Sequence, residues 1–434
     1  MFTVLRQRSF ACLWVGQLVS LIGDWMLLVV LPFYIYTLTG STLATGAMFI
    51  VQTVPRLCLG SLAGVFVDRW NRKYTMIVTN LVQAAVLLPL FLVHSPEWIW
   101  VIYVFAFIDS NVAQFFLPAQ SAIIPQLVEK ADLLAANSLN STSSELTRLI
   151  GPLLGGLLLG IFGLPSVIVV DVCSFLFSGL MISLIALPPG RTQEEVQRPS
   201  VRARLWKIRD EWLDGLRLVK RERLIAAIFT VMGVAMIGEG LIEVLLPGYV
   251  EHVLHGSAVV LGWLMSAQAV GGIAGSLLVV RLSKWIPPAL LISLCGSIFG
   301  GLLTVIALVS TLVIVLPLIT VIGASVIGFF VSQITLLQNT VANAYQGRVF
   351  GAFNTLQAIA LLAGMVVASS LGDRSGIVPM ILVDAACNLL AALLALLLIH
   401  PMPTGSSAPG MQEHGNQALP GDILVQEAPG SIVR

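Results

Sequence analysis

Apolar positions dominate the chain in long uninterrupted runs, and polar residues collect in the short stretches between them. Twelve such runs are found, at about 11–36, 44–67, 74–94, 98–118, 138–160, 165–187, 224–247, 258–281, 289–310, 313–336, 350–371 and 377–399. A helix rises 1.5 Å per residue and needs about 20 residues to cross a hydrocarbon layer of ~30 Å, so each run predicts one membrane-crossing helix. The predicted fold is an all-α membrane protein with twelve transmembrane helices. Composition points the same way. Of 434 residues, 57% are hydrophobic and 10% charged, whereas about a quarter are charged in soluble domains.

The pattern also repeats. Ile22–Tyr34 reads IGDWMLLVVLPFY and Ile237–Tyr249 reads IGEGLIEVLLPGY, so that Gly23, Asp24, Leu31, Pro32 and Tyr34 recur as Gly238, Glu239, Leu246, Pro247 and Tyr249 at a constant shift, 239 − 24 = 215. Gly60 recurs as Gly275 at the same shift. Gly151, Gly163 and Asp171 recur as Gly364, Gly376 and Asp384 at a shift of 213. With six spans in each copy, an even number, both copies enter the membrane in the same sense, as parallel repeats do. The expected organisation is an N-terminal six-helix bundle over 1–187, a cytoplasmic linker over 188–223, a C-terminal bundle over 224–400 and a disordered tail over 401–434, rich in Gly, Pro, Ser and Gln. Within the linker Leu205, Ile208, Trp212, Leu216 and Val219 recur three and four residues apart among basic residues, which predicts an amphipathic helix on the membrane surface.

Charge sets the orientation. Arg6 and Arg8 precede the first span, and the connections on that same side hold Arg69, Arg72, Lys73, Lys130, ten basic residues from Arg191 to Arg223, Arg281, Lys284 and Arg348; the other side holds Arg374. Because basic residues stay in the cytoplasm, both termini are expected there, in the cell (inner) membrane. The first span is too long for a signal peptide and lacks a small-residue cleavage site, so it is read as retained. The five cysteines show no Cys-x-x-Cys spacing and are read as packing residues.

Carboxylates inside the spans carry the candidate chemistry. An ionisable group at mid-membrane costs about 2.5–3.5 kcal/mol on insertion scales, so it is a functional candidate by default. Asp24, Asp109, Glu239 and Glu243 are such groups, and the last two stand four apart on one helix face. Arg148 is a possible partner, either neutralising Glu145 three residues away or reaching Asp24. Asp171 and Asp384 are expected near the outer ends of spans six and twelve, in structural roles.

Two motifs remain. GVFVDRWNRK, after the second span, contains Gly64, Asp68, Arg69, Asn71, Arg72 and Lys73; the glycine allows close helix approach, Asn71 tolerates a left-handed turn, and the charges can pair in one conformation and part in another. RLIGPLLGGLLLG, in the fifth span, places Gly151, Pro152, Gly155 and Gly156 together as a smooth face for tight packing. The first resembles the Gly-x-x-x-Asp-Arg-x-Gly-Arg-Lys loop of the major facilitator superfamily, with Asn71 in place of the second glycine. The second resembles the core of that superfamily's antiporter signature, with Thr147 where a further glycine stands. The resemblance spans roughly residues 5–400 and is strongest to the branch of macrolide efflux and siderophore export proteins.

That resemblance implies spans one, four, seven and ten around a central cavity, with Asp24, Asp109, Glu239, Glu243 and Arg148 serving proton and substrate coupling. It implies a secondary transporter working by alternating access: a proton-coupled exporter of a small amphipathic or cationic compound such as a drug, macrolide or siderophore. Alternatives are a lipid or lysolipid flippase, an importer of the same fold, or a non-transporting sensor or scaffold. The fourth span lacks the arginine that many proton-driven relatives carry. No Walker loop, His-Glu-x-x-His or Gly-x-Ser-x-Gly is present, so ATP-driven transport and enzymatic chemistry are not expected. The expected partners are the small-molecule substrate, protons and membrane lipids, with no nucleic acid, cofactor or metal, and the chain is expected to act as a monomer.

Overall fold

The structure is a computed structural model that describes residues 2–186 and 217–399. Its long helices are α1 (Arg8–Thr39), α2 (Thr42–Val67), α3 (Arg72–Leu87), α4 (Ile99–Leu127), α5 (Leu133–Phe162), α6 (Leu164–Ser183), α7 (Arg223–Gly248), α8 (Ala258–Leu282), α9 (Pro288–Leu308), α10 (Leu312–Thr340), α11 (Asn343–Ser375) and α12 (Ile377–Leu398). All twelve predicted crossings are helices long and apolar enough to span a membrane. Several run past the apolar stretch that announced them. The fourth continues through Pro118 and Pro125 to Leu127, because Ala119, Ile123 and Ile124 remain buried on one face of the extension. The expected linker helix and tail lie outside the described residues, save that 217–221 are helical.

Local chemistry fixes the joints. The first helix ends on Gly40 at φ 62, and Ser41 caps the second by accepting a bond from the Ala44 amide at 3.3 Å. Gly163 and Gly376, a pair in the repeat, have φ 76 and 84 and turn α5 into α6 and α11 into α12. Only glycine adopts that backbone without strain.

Each half repeats the same packing. The first has α1 against α5 and α6, α2 against α4, and α3 against α4 and α6; the second has α7 against α11 and α12, α8 against α10, and α9 against α10 and α12. Tyr34 donates to the Val93 carbonyl at 2.9 Å, and its counterpart Tyr249 donates to Ile306 and Val309 at 3.0 and 3.1 Å. The repeated tyrosine therefore ties the end of each half's first helix to the end of its third.

The halves meet along α5–α8 and α2–α11, with lighter contacts of α1 and α2 on α7 and of α1 on α8. These contacts lie toward one side. The core cluster built on Leu241, Val244, Tyr249 and Leu303 takes in Val29, Phe33 and Phe49 from the first half. On the side where α1 begins and α12 ends, here the terminal side, the cores are separate: one gathers Phe10, Leu13, Met76 and Ile182, the other Ile225, Leu337, Phe353 and Ile399. The halves are thus sealed together on the opposite side and have separate cores on the terminal side.

Candidate transport site

The repeated acids are built in pairs. Asp171 of α6 is fully buried and seated against Gly23, where an added Cβ would lie 1.8 Å from its Oδ1. Ser174 Oγ donates to that oxygen at 3.0 Å. Asp384 of α12 is likewise fully buried and seated against Gly238, where a Cβ would lie 2.3 Å from its Oδ1, and Asn388 Nδ2 donates to it at 2.7 Å. In each carboxyl Oδ2 has no hydrogen-bond partner among the described residues. Sequence placed these two acids near the outer ends of their helices. Each is the eighth residue of its helix, in the half nearer that end, and sits beside a mid-helix glycine, behind Asp24 or Glu239, because the glycine at the preceding position leaves room for a carboxyl there.

The four cavity candidates fall into two cavities rather than one. A polar pocket of about 550 Å³ lies within the first half, lined by Gln17, Asp24, Gln52, Arg56, Asn80, Gln83, Asp109 and Gln114 among others. Gln83 Nε2 donates to Asp109 Oδ1 at 2.9 Å, and Ser110 Oγ donates to the Gln52 carbonyl at 2.6 Å. A second cavity, of about 210 Å³, lies between the halves. Its wall is apolar, with Phe49, Leu264, Phe299 and Leu303, and it carries Glu239, Glu243 and Arg148. Arg148 does not pair with Glu145, which is exposed. Its guanidinium stands 6.0 Å from the ring centroid of Trp25, in the cavity that Glu239 also lines. Among the described residues Asp24, Glu239 and Glu243 make no hydrogen bond. Helix α1 separates the two spaces: Asp24 lines the polar pocket, and the next residue, Trp25, lines the apolar cavity.

The glycines of the fifth span have two faces. Toward α1, a Cβ at Gly151 would lie 2.4 Å from Trp25 Cβ, and one at Gly155 would lie 2.9 Å from the Met26 backbone. Toward α8, a Cβ at Gly156 would lie 2.4 Å from the Ala258 carbonyl oxygen, and one at Gly262 would lie 2.5 Å from that of Pro152. Ser266 Oγ donates to the Leu149 carbonyl at 2.7 Å across the same seam. The motif therefore holds α1 on one side and the other half of the protein on the other.

The loop after α2 behaves differently from its reading in sequence. Asn71 is extended, with φ −71 and ψ 111, and caps α3 by accepting from the Tyr74 amide at 3.2 Å; a side-chain cap needs an extended backbone, so the left-handed turn does not form. Space beside Gly64 is open. Asp68 closes α2, its amide donating to the Gly64 carbonyl at 3.0 Å. Arg72 donates to Ala122 at 2.9 Å, and Lys73 to Ser183 and Ile185 at 2.7 and 2.8 Å, all carbonyls of the first half near the ends of α4 and α6. Arg69 lies beside them, exposed, in the turn.

Sequence reasoning passed over the contact that closes the opposite side. Asp373, at the end of α11, accepts from the Thr42 amide at 2.6 Å, Thr42 Oγ1 at 2.7 Å and Ser41 Oγ at 2.7 Å. A carboxylate from the second half thus caps the first turn of α2 in the first half, across 331 residues of chain. Beside it Thr37 donates to Glu251 at 3.1 Å, and the rings of Tyr36 and His252 meet edge to face at 5.3 Å. An acid at the end of a predicted crossing was the only local signal.

Two repeated helical halves joined along one side, over cavities with charged walls inside the membrane, are the arrangement of a membrane transporter. Residues 13–365 match the family model of the Major Facilitator Superfamily, and the chain belongs to that family. It is 25% identical to macrolide efflux protein A of Streptococcus pyogenes over 373 residues, 85% of this chain and 90% of the relative. It is 26% identical to the multidrug efflux pump Tap of Mycolicibacterium fortuitum over 373 residues, covering 82% and 87% of the two chains. Among solved structures the fold is similar to the nucleoside transporter NupG, with a TM-score of 0.69 at 15% identity over 91% of this chain and 100% of that one. It is also similar to a bacterial homologue of the iron transporter ferroportin in an inward-facing state, with a TM-score of 0.71 at 15% identity over 91% and 99%.

Proposed function

We propose that this transporter is a proton-coupled exporter of a small amphipathic or cationic compound, working by alternating access in the cell (inner) membrane with both termini in the cytoplasm. The observation that carries this reading is the set of intramembrane carboxylates Asp24, Glu239 and Glu243, which line cavities without a hydrogen-bond partner among the described residues. Groups so costly to bury are free to take up a proton or a cationic substrate. The basic residues on the terminal side support the orientation, which makes the sealed side the outer one. The names of the efflux relatives support the direction of transport.

The test is tetraphenylphosphonium uptake by the full-length protein in proteoliposomes, with the membrane potential clamped at zero. An acidic lumen should drive accumulation that collapses when the pH difference is removed. Accumulation of the same size with no pH difference would contradict proton coupling.

A further inference from the structure

The two halves repeat each other closely enough for the departures from the repeat to be informative. Residues that keep it hold the architecture: Gly23 and Gly238 receive buried acids, Tyr34 and Tyr249 tie helix ends, and Gly163 and Gly376 turn the chain. Gly151 and Gly364 keep it too, for an added Cβ would lie 3.1 Å from the Ile22 carbonyl oxygen in one half and 2.0 Å from that of Ile237 in the other. Among the positions that break the repeat, three line one space. At the shift of 215, Trp25 corresponds to Gly240 and Leu28 to Glu243; at 213, Arg148 corresponds to Leu361. Trp25, Glu243 and Arg148 all line the apolar cavity between the halves. Each puts a charged or aromatic side chain into that space where the other half has glycine or leucine.

Their chemistry is complementary. Glu239 and Glu243 put two carboxylates on one wall, and Arg148 is the one cation lining this cavity among the described residues. The guanidinium lies over the indole of Trp25, the aromatic face that best attracts a cation. The other charges nearby belong to the polar pocket: Asp24, Asp109 and Arg56. Behind Asp24 lies Asp171, seated against Gly23, and behind Glu239 lies Asp384, seated against Gly238. The remaining lining, Phe49, Leu264, Phe299, Leu303 and Ile306, is apolar, so a ligand here is greasy and carries one positive charge.

We propose that Trp25, Arg148 and Glu243 form the specificity site for a lipophilic monocation, which takes Glu243 and Glu239 as its counter-charges and displaces the Arg148 guanidinium from the face of Trp25. Arg148 serves as the resident cation while the site is empty. Protons bind apart from it, in the polar pocket around Asp24 and Asp109, with α1 as the wall between them. This placement rests on the exporter reading given above.

The experiment measures equilibrium binding to the purified full-length protein in nanodiscs, using tetraphenylphosphonium and the neutral triphenylphosphine oxide as probes. Glu243→Leu, which restores the residue found in the other half, should weaken tetraphenylphosphonium about tenfold and leave the neutral probe unchanged. Glu243→Gln, which keeps the shape, should do the same if the leucine variant folds poorly. Arg148→Leu removes the competing cation and should tighten tetraphenylphosphonium several-fold. Variants that leave both probes unchanged, or shift both alike, overturn this placement while the exporter reading stands. A wild-type protein that shows no saturable binding of tetraphenylphosphonium overturns the cationic-substrate reading and this site with it.

Discussion

Gly23 and Asp171 show how one side chain decides another. A Cβ at position 23 would meet Oδ1 of a carboxyl that is fully buried and already bonded to Ser174, so neither group has room to yield. Gly23→Ala should lower stability by about 1–3 kcal/mol through overpacking. The same substitution should cost much less in an Asp171→Ala background, where the clashing atom is gone, and thermal unfolding of the four proteins of the cycle in nanodiscs reads the difference. Equal losses in both backgrounds would mean that the two residues do not share the space. The pairing of these positions was legible in sequence, since Gly23, Asp24 and Asp171 each recur at a near-constant shift. Their juxtaposition was not, because periodicity along a chain carries no information about which face of α6 meets α1. Trp25 was missed for a related reason. An aromatic residue in an apolar run looks like packing, and only its glycine counterpart in the other half marks it.

Helices and their contacts carry the difference between the two seams that close the opposite side. Along α5–α8 the backbones approach over Gly156 and Gly262, in a close contact with one side-chain hydrogen bond, Ser266 to Leu149. Along α2–α11 the contact is polar, and Asp373 supplies the cap that the start of α2 requires. The predicted helices were found because length and apolarity suffice to define a crossing. This latch joins residues in different halves, and nothing in the local pattern links them. Asp373→Ala removes the carboxylate from the first turn of α2, a loss of about 1–2 kcal/mol that corresponds to a five- to thirtyfold shift between closed and open forms. Spin labels at the exposed Leu43 and Leu371 should report a larger share of long distances in that variant. An unchanged distance distribution would show that the latch does not hold this side shut.

For the whole molecule, two similar bundles line two different spaces. The first half holds a polar pocket with Asp24 and Asp109; the second supplies most of the apolar wall and both glutamates of the cavity between them. Closure on one side alone fits a cycle in which the other side opens and shuts in turn. The central claim is that export is driven by protons through the intramembrane carboxylates, with Asp24 on the proton side and Glu239 on the cation side of α1. Its most direct test is exchange of tetraphenylphosphonium against protons in proteoliposomes, followed with a trapped pH-sensitive dye, for wild type beside the Asp24→Asn, Glu239→Gln double variant. Wild type should move protons outward as the cation enters an acidic lumen, and the double variant should move neither above the protein-free background. A double variant that still concentrates the cation against its gradient, with matching proton movement, would contradict the claim.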